Sequence, residues 1–161
     1  MSTGDPLRDE LLTLLTPGNA HMPFEEAVVG FPMEHINTLF PNGSYTPWHL
    51  LEHLRISQWD ILDFIRNPDY QEMAWPKDYW PPQNQQAAPE DWSHTIAAFQ
   101  EDMRALQAIV RNPDTDLLAK IPHGTGQTIL REILTVADHN AYHIGEFAIM
   151  RQAMGTWGAD H

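Results

Sequence analysis

Apolar residues recur at helical spacing in the two segments that contain the most distinctive side chains. In segment 46–67 the apolar positions include Leu50, Leu54, Ile61, Phe64 and Ile65. In segment 127–155 a stripe on one helix face runs through Ile129, Ile133, Val136, Asn140, Ile144 and Phe147. Segment 88–112 has the length and composition of a third long helix, and no segment alternates as a strand would. The chain is therefore predicted to be all-α.

Residues typical of helix ends support these boundaries. Asp5 precedes Pro6 and Thr46 precedes Pro47, which is the expected order of an N-cap and a first helical residue. Gly155 follows the last apolar stripe, where a C-terminal glycine commonly ends a helix.

Shorter helical segments complete the predicted architecture. Segments 5–15 and 22–31 are predicted to form a composite N-terminal helix, and segment 114–120 one or two further turns. With the three long helices this gives a four-helix bundle in a single domain over residues 1–161. The connections are long, so the topology need not be a simple up-down-up-down arrangement.

The segment 68–89 is rich in proline and aromatic residues and is predicted to be irregular. A connection of this length in a small domain is often a functional cover. If its "WPKDYWPP" sequence folds over a site, it could line a pocket; the six tryptophans are otherwise expected in the core and loops.

Composition and charge narrow the possible functions. The chain has 161 residues, a formal net charge of −13 and no cysteine, so it has no disulfide, cysteine zinc site or thiol nucleophile. The negative charge argues against nucleic-acid and membrane-surface binding. No signal peptide or membrane span is recognisable, and we expect a cytoplasmic location.

Two histidines lie one helical turn apart in "DHNAYHIGE", residues 138–146. His143 falls inside one edge of the apolar stripe and His139 just beyond it, so both point toward the bundle interior or its rim. Side chains at i and i+4 can hold one metal ion. The competing interpretation is coincidence, because nine histidines in a short chain readily produce such a pair.

A metal site needs a third ligand, and the second long helix offers His49 and His53, again four residues apart. The helical wheel places His53 at the edge of the apolar stripe and His49 on the polar side. We therefore choose His53 and expect His49 to be a surface residue in the first turn. Three neutral imidazoles suit a divalent zinc, nickel, copper or iron ion and leave an open position.

The remaining histidines and the acids are weaker candidates. The loop containing His123 enters the last helix and could approach the site, whereas the other four histidines are given no role: His21, His35, His94 and His161. Four acids could orient ligating imidazoles: Asp60, Glu132, Asp138 and Glu146. Asp60 and Glu132 have the best angular positions on their helices, and we expect no more than one of the four to act.

The sequences "TPWHLLEHL", "RNPDYQEMAWPKDYWP" and "GTGQTILREILTVADHNAYHIGEFAIMRQAMG" together resemble the DinB-like family of metal-dependent enzymes. The resemblance extends from about residue 20 to the C-terminus. It implies a four-helix bundle of unusual connectivity, often dimeric, in which three histidines hold a divalent metal. Carried over, these are His53, His139 and His143. Relatives often have glutamine where this chain has Glu146.

The resemblance also implies a range of activities. Characterised members include thiol-dependent S-transferases and a mycothiol-dependent isomerase, in which the metal activates a low-molecular-weight thiol. The expectation is a zinc-, nickel- or iron-dependent transferase that uses such a thiol, or a metal-dependent hydrolase, acting on a small molecule as a homodimer. The alternative is a non-catalytic bundle, stabilised by metal, that serves as a ligand-binding or interaction module.

Overall fold

The computed structural model describes residues 3–16 and 20–158. This part of the chain contains five α-helices and no strand apart from an isolated bridge between Lys120 and Thr128. The all-α prediction is confirmed. The helices are α1 (Pro6–Leu14), α2 (Phe24–Val28), α3 (Pro47–Arg66), α4 (Pro89–Arg111) and α5 (Ile129–Met154).

The predicted helix ends are confirmed in detail. The Asp5 side chain accepts a hydrogen bond from the Leu7 amide, and the Thr46 hydroxyl accepts one from the His49 amide. Each satisfies an amide of the first turn that has no partner within its helix. Gly155 ends α5 with a φ of 64°, in the left-handed region where glycine is favoured.

Two of the shorter predicted segments differ from expectation. Helix α2 covers only Phe24–Val28 of the predicted 22–31, because the chain turns at Gly30, which has a φ of 60°. Segment 114–120 forms turns and no helix, and the prediction there was wrong. The Asp116 carboxylate accepts the Leu118 amide, a local bond that competes with helix formation.

Four helices form the bundle, and the fifth covers one end. Helix α3 packs between α4 and α5, while α1 packs on α4 and α5, and α2 contacts α5. Because α3 and α5 are direct neighbours, inward-facing side chains from their central turns can meet.

The core consists of two apolar clusters, one toward each end of the bundle. Leu54 and Ile144 belong to the cluster that also contains Phe147, whereas Leu62 and Val136 belong to the other. Between them lie Gln58 and Asn140, buried polar residues at the middle of α3 and α5. The central layer of the bundle is thus polar and depends on hydrogen bonds.

The long connection between α3 and α4 is irregular, as predicted, with a 3₁₀ turn at Lys77–Tyr79. Its Tyr79 carbonyl and its Gln85 carbonyl each accept a hydrogen bond from a histidine of α3. The loop therefore folds against the polar edge of that helix. None of the described helices is long and apolar enough to span a bilayer.

Candidate metal centre

Three histidines from α3 and α5 converge between the two helices. The Nε2 atom of His53 lies 3.1 Å from Nε2 of His143 and 3.2 Å from Nε2 of His139. His53 is buried, and the other two side chains are partly exposed. This group, which we call the histidine centre, could hold a metal ion. Among the described residues, no other three His, Asp or Glu side chains lie close enough together to share one.

The spacing of these nitrogen atoms fits a bound transition metal. A zinc–nitrogen bond is about 2.0–2.1 Å, so two nitrogens on one ion lie about 3.3 Å apart in tetrahedral geometry and about 3.0 Å apart at octahedral angles. The observed 3.1 and 3.2 Å lie between these values. The distances are compatible with either geometry and do not select one metal.

The outer nitrogens of two histidines fix which atoms face the centre. Nδ1–H of His53 donates to the Tyr79 carbonyl at 2.8 Å, and Nδ1–H of His143 donates to the Glu146 carboxylate at 2.6 Å. In the neutral rings both Nε2 atoms then carry lone pairs and no hydrogen. Two such lone pairs facing each other at 3.1 Å repel unless a cation lies between them.

His139 reaches the centre from next to the polar layer of the core. Its Nδ1 atom and the Asn140 Oδ1 atom are both buried, and neither has a hydrogen-bond partner in good geometry within the described residues. The amide of Asn140 donates to Gln58 Oε1 at 2.9 Å, and Gln58 in turn donates to the Phe99 carbonyl at 2.6 Å. This chain fixes the orientation of the Asn140 amide and places its oxygen away from Gln58.

Burial keeps two of the three histidines, His53 and His139, neutral. Desolvation lowers the pKa of His53 to about 4, helped by His143 and opposed by the hydrogen bond to Tyr79. Desolvation also lowers the pKa of His139 to about 4, with further lowering from His143 and His53 and an opposing effect of Asn140. Near neutral pH these two imidazoles are therefore in the form that binds metals.

Glu146 is the acid that contacts the histidine centre. It accepts from His143 and, on its other oxygen, from the Tyr45 hydroxyl. The hydrogen bond from His143 holds its pKa below the usual range, against the effect of burial. Its carboxylate is occupied by these two donors and orients His143 as partners of metal-bound histidines do.

The angular positions had favoured Asp60 and Glu132 over Glu146, and this preference was wrong. Glu132 makes no hydrogen bond to any described histidine, and Asp60 accepts from the hydroxyls of Tyr70 and Tyr79 at 2.9 and 2.7 Å. Asp60 is connected to His53 only through Tyr79. The missed signal was the spacing of His143 and Glu146, since residues three apart are neighbours on a helix.

An aromatic residue of the long loop covers the centre, as its sequence allowed. The Trp80 ring stacks on His53 with centroids 3.9 Å apart and planes 5° from parallel. Trp80 thus holds the face of the His53 imidazole, and the Tyr79 carbonyl holds its Nδ1 edge. Neither residue was singled out from the sequence, because the contact depends on how the loop folds.

His49 was predicted to lie on the surface, and the structure corrects this. It is buried at 3% exposure; its Nδ1 accepts the Thr46 amide, and its Nε2–H donates to the Gln85 carbonyl. Both nitrogens are occupied by the helix cap and the loop. His49 is thus structural and does not face the histidine centre.

The other histidines lie away from the centre. His123 donates through Nε2 to the Phe64 carbonyl at 2.7 Å. His35 and His94 are exposed, and His21 contacts the Met22 carbonyl. His161 is outside the described residues. Asp138 is exposed on α5.

Comparison with known proteins supports the resemblance noted in the sequence. The model of the DinB superfamily matches residues 19–147 of the chain. The chain belongs to the DinB superfamily. The matched region contains all three histidines of the centre and all of α2, α3 and α4. No curated protein and no solved structure matches the chain.

Proposed function

We propose that this member of the DinB superfamily binds a divalent transition metal through His53, His139 and His143. The proposed activity is that of a metal-dependent transferase that activates a small thiol, or of a metal-dependent hydrolase. Zinc, nickel and iron(II) all suit three neutral imidazoles.

The observation that carries the proposal is the convergence of three imidazole nitrogens, two of them on rings whose outer nitrogen is held by an oxygen acceptor. Nδ1 of His53 and of His143 each donate to a fixed oxygen, so both Nε2 lone pairs face the centre. Metal-binding histidines are usually held in this way. In the neutral His53–His143 pair, neither ring has an N–H left that could donate to the other.

The centre offers three ligands, and we propose that the remaining coordination positions are open to small molecules. The nearest acid, Glu146, is already bonded to His143 and Tyr45, and no fourth histidine or acid joins the group in the described chain. A site with three protein ligands and an open position is the arrangement of catalytic zinc sites. This supports catalysis over a closed structural clamp.

A divalent ion in this site would supply Lewis acidity and lower the pKa of a thiol or water that occupies an open position. The protein's own residues would keep the site fixed: Tyr79 and Trp80 hold His53, and Glu146 holds His143. The thiol must come from a low-molecular-weight co-substrate, because the chain has no cysteine. In S-transfer the thiol proton would pass to solvent, the sulphur would form a bond to an electrophilic carbon, and the leaving group would depart with the electron pair of its broken bond to that carbon.

The second candidate is a non-catalytic, metal-stabilised bundle that acts as a ligand-binding or interaction module. It is favoured by the position of the centre, since an ion bound there would link α3 directly to α5. The two functions differ in the remaining coordination positions. Water or an exchangeable small ligand supports the enzyme, whereas a fourth ligand from the protein supports the structural role.

The proposal includes a small-molecule substrate, a homodimer and a cytoplasmic location, without nucleic-acid or membrane partners. Support for the dimer comes from α5, where Leu134, Tyr142 and Ile149 are exposed at 46%, 70% and 63%. Sedimentation velocity on the untagged chain measures the association directly, and a monomer at all accessible concentrations would contradict the dimer.

The deciding experiment is elemental analysis of untagged protein purified without a metal column. We expect about one equivalent of transition metal in the native chain and almost none in His139→Ala. The matched control is His94→Ala, which removes an exposed histidine of α4 and should leave the metal content unchanged. The metal found then defines the form used in thiol-transfer and hydrolase assays.

The metal proposal fails if the native chain takes up no zinc, nickel or iron(II) on incubation, or if His139→Ala binds as much as His94→Ala. If metal binds and no activity appears with small thiols or hydrolysable esters and amides, the non-catalytic function takes precedence.

A further inference from the structure

A cavity lies along the same two helices as the histidine centre. It has a volume of about 510 Å³ and lies between α3, α5, the 68–89 loop and the loop before α5. Its lining includes Asp60, Phe64, Tyr70, Tyr79, His123 and Glu132. We call it the carboxylate cavity.

Glu132 is an unpartnered acid in the wall of this cavity. The residue is only 8% exposed, and its carboxylate has no hydrogen bond or ion pair in the described parts of the chain. The carboxylate lacks a protein partner within residues 3–16 and 20–158, and burial has removed part of its hydration, which costs free energy. A group retained in this state is well suited to a ligand that supplies the missing partner.

The charges around the cavity are predominantly negative. Asp60, Glu72 and Glu132 line it, and Arg131 is the one cationic Lys or Arg side chain among its described lining residues. Arg131 is exposed and forms no ion pair with Glu132 that would neutralise it. The potential within the cavity therefore favours a cation and disfavours an anion.

The walls beside the acids are aromatic. The ring of Phe64 lies 5.1 Å from that of Tyr70 and 5.4 Å from that of His123, both edge to face. Tyr70 and Tyr79 donate their hydroxyls to Asp60, which fixes the rings against the cavity. Aromatic faces next to carboxylates are a common environment for ammonium groups, because the faces also attract cations.

We propose that the carboxylate cavity binds a small organic cation, a primary ammonium attached to an apolar body, with the ammonium at Glu132 and the body against the aromatic wall. Burial raises the pKa of both acids; the charge of Arg131 opposes this effect at Glu132, and the hydroxyls of Tyr79 and Tyr70 oppose it at Asp60. The apolar part of the ligand would contact Phe64 and Tyr70.

The cavity adjoins the histidine centre through one residue. Tyr79 donates its hydroxyl to Asp60 in the cavity wall and accepts His53 Nδ1–H on its carbonyl. On α5, Glu132 and Thr135 lie two turns and one turn before His139. The bound cation would thus be held beside the centre, although its binding does not depend on a metal.

The test uses the full chain after removal of metal with a chelator. Phenethylammonium is titrated into labelled protein and followed by nuclear magnetic resonance, with phenethyl alcohol as the neutral match and phenylacetate as the anionic one. We expect saturable shifts of Tyr70 and Tyr79 with the ammonium, binding at least about tenfold weaker for the alcohol, and none for the acid. Equal binding of alcohol and ammonium would overturn the proposal.

Glu132→Gln keeps the size of the side chain and removes its charge. This variant should weaken the binding of phenethylammonium at least about tenfold. Asp138→Asn is the matched control, since it removes an exposed acid from the same helix outside the cavity, and it should change the affinity less than twofold. Equal effects of the two variants would overturn the proposal.

A second variant guards against misfolding of Glu132→Gln. Glu72→Lys reverses an exposed charge in the cavity lining without disturbing the core, and it should weaken phenethylammonium binding at least about threefold. Unchanged affinity in Glu72→Lys would also count against the proposal. Because the protein is metal-free throughout, these results are independent of whether the histidine centre binds metal.

Discussion

The histidine centre and the carboxylate cavity are adjacent on α3 and α5, yet their polar groups are held differently. In the centre, His53 and His143 each have the outward-facing nitrogen fixed by an oxygen acceptor. In the cavity, Asp60 is fixed by two tyrosine hydroxyls, while Glu132 has no partner among the described residues. The ligand-binding atoms of the histidine centre are thus already oriented, whereas in the carboxylate cavity the Glu132 carboxylate lacks a partner of opposite charge within the described structure.

Burial acts on both sites in the same physical direction, which is toward the neutral form of each group. It lowers the pKa of His53 and His139 and raises the pKa of Asp60 and Glu132. Neutral imidazoles favour a transition metal, whereas an ammonium group placed beside the acids would favour their ionised form. We therefore propose that the two sites differ in the cation that they bind, a transition metal at the histidine centre and an ammonium group in the carboxylate cavity.

The largest expected effect concerns the acid stability of the histidine centre without metal. His53 and His139 have a pKa of about 4 in the folded state, against 6.5 for an unperturbed imidazole. Below 6.5 the unfolded chain takes up protons that the folded chain cannot. Metal-free protein should therefore lose stability as the pH falls from 6.5 to 4, by roughly 3 kcal/mol for one such group.

Urea unfolding of chelator-treated protein at several pH values measures this loss. His139→Ala should show a shallower pH dependence, while His94→Ala, which removes an exposed histidine, should follow the native chain. Parallel pH profiles for all three proteins would contradict the neutral, desolvated state of the centre.

The polar layer behind His139 should be the next most sensitive feature. Asn140→Leu keeps the approximate size of the side chain and leaves Gln58 Oε1 buried without its donor. We expect a loss of about 2 kcal/mol in the free energy of unfolding. The double variant with Gln58→Leu should lose less than the sum of the two single variants, because the layer is then apolar on both sides. Additive losses would argue against direct coupling.

A substitution at Glu146 tests whether the orientation of His143 affects metal binding at the centre without affecting the carboxylate cavity. Glu146→Gln retains an oxygen that can accept Nδ1–H of His143 but removes the charge. Loss of such a partner typically weakens metal binding tenfold or more, and we expect about tenfold here. Competition with a chromophoric chelator measures it, and phenethylammonium binding in the carboxylate cavity should not change. Equal losses at both sites would mean that the variant disturbs the fold.

Tyr79 contacts the carboxylate cavity with its hydroxyl and the histidine centre with its carbonyl. A substitution that removes only the hydroxyl should give the smallest effect on stability. Tyr79→Phe removes the hydroxyl that donates to Asp60 but keeps the carbonyl that accepts from His53. We expect a loss of about 1 kcal/mol in stability and unchanged metal affinity. Tyr142→Phe, at an exposed position, is the control and should affect neither. A fall in metal affinity with Tyr79→Phe would show that the side chain also positions His53.

Helices and their ends were largely predictable because the physical causes are local. The caps at Asp5 and Thr46 and the glycine at position 155 act on the neighbouring turns, and the structure confirms each. Segment 114–120 was an exception, since the Asp116 side chain bonds its own backbone and the segment turns. The DinB resemblance could also be recognised from the sequence, because each of its three motifs is an unbroken run of residues.

Sequence patterns alone were enough to predict the all-α fold, the spacing of His139 and His143 on one face of α5, and the position of His53 at the edge of α3. Helical periodicity fixes the direction in which a side chain points from the axis of its own helix. It does not fix which other segments pack against that side of the helix. Only the tertiary structure buried His49 and Asp60 under the long loop, stacked Trp80 on His53, and made Glu146 the acid beside His143. Those contacts join residues from different parts of the chain, and their free energy depends on the packing of the whole bundle.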